Sequence, residues 1–257
     1  MSVTAAKGFT AAGVKAGIKA SGNHDLALVR NEGPAKVAAG VFTTNRFQAA
    51  PVVWSIDVLA GGQLDAVVLN SGGANACTGP DGLADTRAMA EATASALGTT
   101  PDRVAVCSTG LIGVRLPMDA VHAGIAAAAA GLAVDGASDA ALAIMTTDTV
   151  PKQAATTSEA GWSVGGMAKG AGMLAPALAT MLVVVTTDAD LTPAQADTAL
   201  RAATRVTFDR TDSDGCMSTN DTVILMASGA SGVAPDLEAF TDALTQVCGS
   251  LARQLLG

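Results

Sequence analysis

Short apolar runs alternate with stretches of helical spacing along most of the chain. Residues 26–30 and 38–43 read as strands, separated by the turn Asn31-Glu32-Gly33-Pro34. Residues 65–69, 103–107, 181–187 and 223–227 are further strand candidates, rich in Val, Ile and Leu. Apolar positions recur at helical spacing over residues 83–97, 116–132, 138–144, 194–206 and 235–256. Asp81 is placed to cap the first of these helices. Pro117 with Asp119 opens the second, and Pro193 lies in the first turn of the fourth. Residues 51–59 form one more apolar run, with Trp54 read as core. Residues 7–19 form a glycine-spaced opening. Strand runs that alternate with helices define an α/β fold.

Residues 170–187 carry no charge and have the length of a membrane span. Gly170, Gly172, Pro176 and the Thr186-Thr187 pair break them into a turn and a strand. The alanine run at 126–130 is too short to span, and the N-terminus lacks a basic-then-apolar signal pattern. With 49% apolar residues, 3% aromatics and no Tyr, the core is expected to pack Ala, Val and Leu. A net charge of −8 argues against nucleic-acid and anionic-membrane partners. Four Cys (Cys77, Cys107, Cys216, Cys248) without CxxC spacing and two His give no metal-site pattern. The Cys are expected to be reduced thiols of a cytoplasmic protein.

Four stretches carry candidate chemistry. The glycine-rich loop Asn70-Ser71-Gly72-Gly73-Ala74-Asn75 follows a strand but lacks the Lys-Ser/Thr of a phosphate loop. Ser108-Thr109-Gly110 also follows a strand, and a Thr-Gly turn there can aim a hydroxyl and a backbone N–H at one developing oxyanion. Asp212-Ser213-Asp214-Gly215 hints at a calcium loop, but Arg210 would fall at the first ligand position and Asp221 at the last, which excludes calcium. The fourth runs from Lys169 through Gly170, Gly172 and Pro176 to Thr180. A Thr hydroxyl needs a base beside it, and the α-amine of an N-terminal Thr is such a base. Attack of the Thr180 hydroxyl on the carbonyl of Ala179, followed by hydrolysis of the ester, would create that terminus. The same segment also reads as a buried strand after a Gly/Pro turn. Thr109-Gly110 also reads as an ordinary strand-to-helix turn, and Met145-Thr146-Thr147-Asp148-Thr149 as turn chemistry.

Gly165-Gly166-Met167-Ala168-Lys169-Gly170-Ala171-Gly172-Met173-Leu174-Ala175-Pro176, followed by Ala179-Thr180-Met181-Leu182, resembles the self-cleaving segment of the ornithine acetyltransferase (bifunctional glutamate N-acetyltransferase) family. Asn70-Ser71-Gly72-Gly73-Ala74-Asn75-Ala76, Ser108-Thr109-Gly110-Leu111-Ile112-Gly113 and Ser218-Thr219-Asn220-Asp221-Thr222 match further motifs of that family. The resemblance covers essentially the whole chain. It implies an α/β/β/α-type layered sandwich, cut into an α-chain-like segment, residues 1–179, and a β-chain-like segment beginning at residue 180. It implies Thr180 as nucleophile, Thr109 and Gly110 as oxyanion hole, and Thr147, Lys169 and Thr180 as substrate contacts. The implied reaction is ping-pong transfer of acetyl from N-acetyl-L-ornithine to L-glutamate in arginine biosynthesis, with acetyl-CoA a second donor in bifunctional members. No metal or organic cofactor is implied, and the two chains would assemble into a higher oligomer. The family's Glu-bearing acceptor strand and C-terminal Asn lie beyond the point where this sequence stops, so the chain is expected to be C-terminally truncated, with an incomplete pocket. Two alternatives remain: an N-terminal-nucleophile aminopeptidase or amidase of related fold, and a catalytically silent chain that needs a partner.

Overall fold

The computed structural model describes residues 2–171, 181–211 and 215–256. In chain order its first half comprises strands β1 (Phe9–Val14), β2 (Leu26–Asn31) and β3 (Val37–Phe42), helix α1 (Ala50–Leu59), β4 (Ala66–Gly73), α2 (Gly79–Leu97), β5 (Val104–Leu111), α3 (Met118–Ala130) and α4 (Ala137–Ala143). The second half comprises β6 (Lys152–Thr157), β7 (Ser163–Lys169), β8 (Leu182–Thr187), α5 (Pro193–Val206), β9 (Thr222–Ala227) and α6 (Leu237–Leu256).

One sheet has the order β1-β2-β4-β5 and the other β3-β9-β8-β7-β6. Pairing is parallel between β4 and β5 and between β8 and β9, and antiparallel elsewhere. Successive strand residues point to opposite faces, and both faces here are apolar. In β8, Leu182 and Val184 enter a core between the two sheets, while Val183 and Val185 meet Leu200 of α5 and Phe240 and Leu244 of α6 in another. In β4, Val67 and Leu69 join the central core, while Ala66 and Val68 pack with Met89 of α2 and Ile125 of α3. The result is four layers, helix–sheet–sheet–helix, as the α/β/β/α expectation required. Among the described residues no helix is long and apolar enough to cross a membrane.

Several local expectations need correction. The run at 51–59 is helix α1; Pro51 suits its first turn, and the Trp54 indole donates to the carbonyl of Val104 at 3.0 Å. Helix α2 starts earlier than expected, at Gly79, so Asp81 lies in its first turn rather than capping it, and pairs with Arg115 at 3.2 Å. Both β4 and β5 run past their expected ends because Ser71 pairs with Thr109 and Gly72 with Gly110. Strands β6 and β7 have no counterpart in the apolar pattern. Gly165 and Gly166 conceal β7, and Gly165 is required there: a Cβ would lie 2.1 Å from the carbonyl oxygen of Ser2.

Candidate active site

The site gathers where β5 and β7 end and where β8 and β9 begin. Thr109 and Gly110 lie within strand β5, near its end, and not in a turn after it. Gly110 has φ +130°, and a Cβ there would sit 2.5 Å from the main-chain carbon of Gly72. Only glycine suits both the backbone angle and the close approach of the parallel neighbour. Thr109 is buried, and its hydroxyl oxygen accepts a hydrogen bond from Lys169 Nζ at 3.1 Å. Lys169 is the last residue of β7 and only 2% exposed, so it is neither a loop residue nor a solvated surface charge.

A buried charge cluster surrounds this lysine. Asp148 accepts from Lys152 Nζ at 2.6 Å, from the amide of Gly170 at 2.7 Å and from the amide of Thr146 at 3.0 Å. Burial pushes the Asp148 carboxyl up, but these three donors and the charge of Lys169 outweigh it and hold the group below the ordinary aspartate value. Lys19 donates to the carbonyls of Met145 at 2.5 Å and His24 at 2.8 Å, and so holds the front of the same loop. Burial lowers Lys169 to about 8; Asp148 and Asp221 oppose that shift, and Lys152 and Lys19 add to it. Thr147 lies in the loop between Thr146 and Asp148, and the Asp148–Gly170 bond holds that loop against the end of β7.

On the other side, Asp221 precedes β9 and is fully buried. Its Oδ1 accepts from the amide of Met181 at 2.9 Å. Burial pushes this carboxyl up to about 8, against the Met181 amide, the neighbouring Ser218 hydroxyl and the charge of Lys169. Asn220 ties the sheets together: its amide donates to the carbonyls of Ala74 at 2.6 Å and Ser108 at 2.9 Å. Ser108 in turn donates to Asn70 of the neighbouring strand β4 at 2.6 Å.

The structure therefore brings Thr109, Gly110, Lys169 and the Thr147 loop to one place. Ala179, Thr180 and the Asp212–Asp214 run lie outside the described residues. Asp148, Lys152, Lys19 and Asp221 escaped assignment from sequence. The i, i+4 spacing of Asp148 and Lys152 and the position of Asp221 in the Ser-Thr-Asn-Asp-Thr run were the available signals. Among the described residues no cluster of three His, Cys, Asp or Glu side chains could hold a metal ion.

The layered architecture is that of the Ntn-hydrolase-type sandwiches. The L-aminopeptidase D-Ala-esterase/amidase of Ochrobactrum anthropi, described as a new variant of that fold, matches with a TM-score of 0.60 over 99% of this chain and 85% of that one, at 14% identity. Within that architecture the chain belongs to the ArgJ family, whose sequence pattern matches residues 10–257. It is 66% identical over 256 residues to the arginine biosynthesis bifunctional protein ArgJ of Streptomyces coelicolor, covering 100% of this chain and 67% of that protein. The crystal structure of ornithine acetyltransferase from Mycobacterium tuberculosis, complexed with ornithine, matches at 59% identity and a TM-score of 0.68, covering 70% of this chain and 96% of that one.

Proposed function

We propose that this chain carries the nucleophile and oxyanion hole of an arginine-biosynthesis acetyltransferase that moves acetyl from N-acetyl-L-ornithine to L-glutamate. The observation that carries this reading is the Lys169–Thr109 hydrogen bond. It joins the lysine at the head of the Lys-Gly-Ala-Gly segment to the Thr-Gly pair that the oxyanion role requires. Because Lys169 donates to Thr109 Oγ1, the Thr109 hydroxyl hydrogen remains available for an oxyanion, beside the N–H of Gly110.

The self-cleavage step begins with Thr180 Oγ attacking the carbonyl carbon of Ala179. The C–N bond breaks, an ester forms, and the α-amine of Thr180 is released; water then hydrolyses the ester. In the transfer reaction the same hydroxyl attacks the acetyl carbonyl of N-acetylornithine. The Thr180 α-amine takes the hydroxyl proton and passes it to the departing ornithine amine. The α-amine of glutamate attacks the acetyl-Thr ester, giving N-acetylglutamate and restoring the hydroxyl. Two acyl transfers replace one direct amide exchange. Acetyl-CoA would enter at the first step with a thiol as leaving group. Thr147 and Lys169 would contact the amino-acid portion of the substrates, with Lys169 matched to a carboxylate. No metal or organic cofactor enters these steps.

The lengths of the relatives support a cut that leaves one piece of about 180 residues, and Ala179/Thr180 is the bond that the sequence motif offers for it. The Streptomyces relative aligns over the whole chain, whereas the crystallised Mycobacterium chain matches 70% of the 257 residues, about 180. In this reading residues 1–179 and 180–257 become α- and β-type chains of one cytoplasmic, oligomeric enzyme. The test is intact-mass spectrometry of the purified protein beside Thr180→Ala, followed by assay with N-acetylornithine and glutamate and, in parallel, with peptide amides. Two fragments in the wild type, one mass in the variant and acetylglutamate formation are expected. One uncut mass in both proteins, or amide hydrolysis without acetyl transfer, would overturn the reading.

A further inference from the structure

The self-cleaving threonine needs its main chain held still, and one buried group that the steps above do not use grips that chain directly. Asp221 is 0% exposed. Its Oδ1 receives the Met181 amide at 2.9 Å, and among the described residues its Oδ2 has no hydrogen-bond partner. The main chain reinforces the grip, because the amide of Thr222 donates to the carbonyl of Met181 at 3.2 Å. Parallel pairing of Leu182 with Thr222 sets Met181 opposite Asp221.

We propose that Asp221 is a positioning residue that acts as a neutral carboxylic acid, fixing the amide of Met181 and hence the chain that leads into β8 directly after Thr180. With one buried oxygen unsatisfied, a carboxylate here would keep much of the desolvation cost of a charge, and a proton removes that charge while leaving Oδ1 to accept the Met181 amide. The charged group of the described residues that acts on Asp221 is Lys169 of β7, with Ser218 a neutral neighbour. Lys169 shares its field with Asp148, Lys152 and Lys19, so the positive charge facing Asp221 is already partly committed to Asp148. Burial raises the carboxyl to about 8, in agreement with this geometry. The two aspartates flanking Lys169 thus take opposite forms, Asp148 ionised and Asp221 protonated, a division of labour that environment alone can impose on chemically identical groups.

The inference rests on the proposed role of Thr180 for its consequence, but its protonation state is tested separately. Difference infrared spectroscopy of the whole chain at pH 7, wild type minus Asp221→Asn, is expected to show a carboxylic-acid carbonyl band that vanishes above pH 9. Absence of that band at pH 7 overturns the proposal, whether or not the chain cuts itself. Self-cleavage followed by mass is the second readout. Asp221→Asn, which mimics the neutral acid, is expected to cut within about threefold of wild type, and Asp221→Ala about tenfold or more slowly. Equal slowing by both variants overturns the proposal. Failure of the wild type to cut would count against the Thr180 reading alone.

Discussion

Lys169 Nζ stands 3.1 Å from Thr109 Oγ1, linking the last residue of β7 to the end of β5 in the opposite sheet. Removing the hydroxyl and removing its donor should therefore affect one step to different degrees. In the proposed mechanism Thr109→Ala deletes an oxyanion donor, and it is expected to lower kcat by about 10²–10³. Lys169→Met leaves the hydroxyl in place and should cost less in kcat, with a rise in KM from the lost cation. Steady-state acetyl transfer from N-acetylornithine to glutamate, with the cut monitored by mass, measures both.

Gly110→Ala should damage stability as well as chemistry. A methyl group at φ +130° would press on Gly72 from 2.5 Å, against a parallel strand that cannot retreat without parting the β4–β5 ladder. The expected loss is about 1–3 kcal/mol, read from urea denaturation. Gly113→Ala is the control, since it shares a positive φ but has open space around it.

Asp148→Ala would leave Lys152 buried beside a missing partner; the two side chains are 0% and 4% exposed. Breaking such a pair from one side costs about 3–5 kcal/mol. The double variant Asp148→Asn with Lys152→Met should recover part of that stability, because Lys152 no longer stands as an uncompensated charge, although Lys169 still lacks the Asp148 carboxylate. Recovery of stability without recovery of acetyl transfer would separate the cluster's structural duty from its hold on Lys169 and Gly170.

The two groups near 8 predict opposite pH windows. Asp221 is raised from 3.8 to about 8, so the folded state binds the extra proton between those values. Its contribution is full below the lower value and lost as pH climbs through the upper one. Lys169 is lowered from 10.5 to about 8, so the unfolded state binds more protons in that interval and folded stability recovers as pH rises through it. Asp221→Asn should therefore gain in Tm relative to wild type from pH 4 to 8. The advantage of Lys169→Met should be largest below pH 8 and shrink towards 10.5. Thermal melts at fixed ionic strength across this range test both signs.

Much of the fold was legible from residue order. The strands β2, β4, β8 and β9 announce themselves by short runs rich in Val, Ile and Leu, and α5 by Pro193 in its first turn, where the structure adds a Thr192/Gln195 capping box. The motif runs also pointed to Thr109, Gly110 and Lys169. What they could not convey was burial. A lysine preceded by two glycines in an unrecognised strand looks like a loop charge, and only the packing of β7 between β6 and β8 puts it inside. Asp148 likewise reads as turn chemistry, and Asp221 as one member of a motif, until the strands enclose them, because desolvation is a property of neighbours far away in sequence.

The placement of β8 and β9 between β3 and β7 has a mechanical consequence. If the backbone is severed before Met181, the two pieces remain interleaved: the shorter one supplies the inner strands of a sheet whose outer strands belong to the longer. The severed protein should elute from a sizing column as a single body and come apart only in denaturant. Neither piece expressed alone would have a complete ladder to fold against, so making the two halves from separate messages should yield insoluble material unless they meet during synthesis.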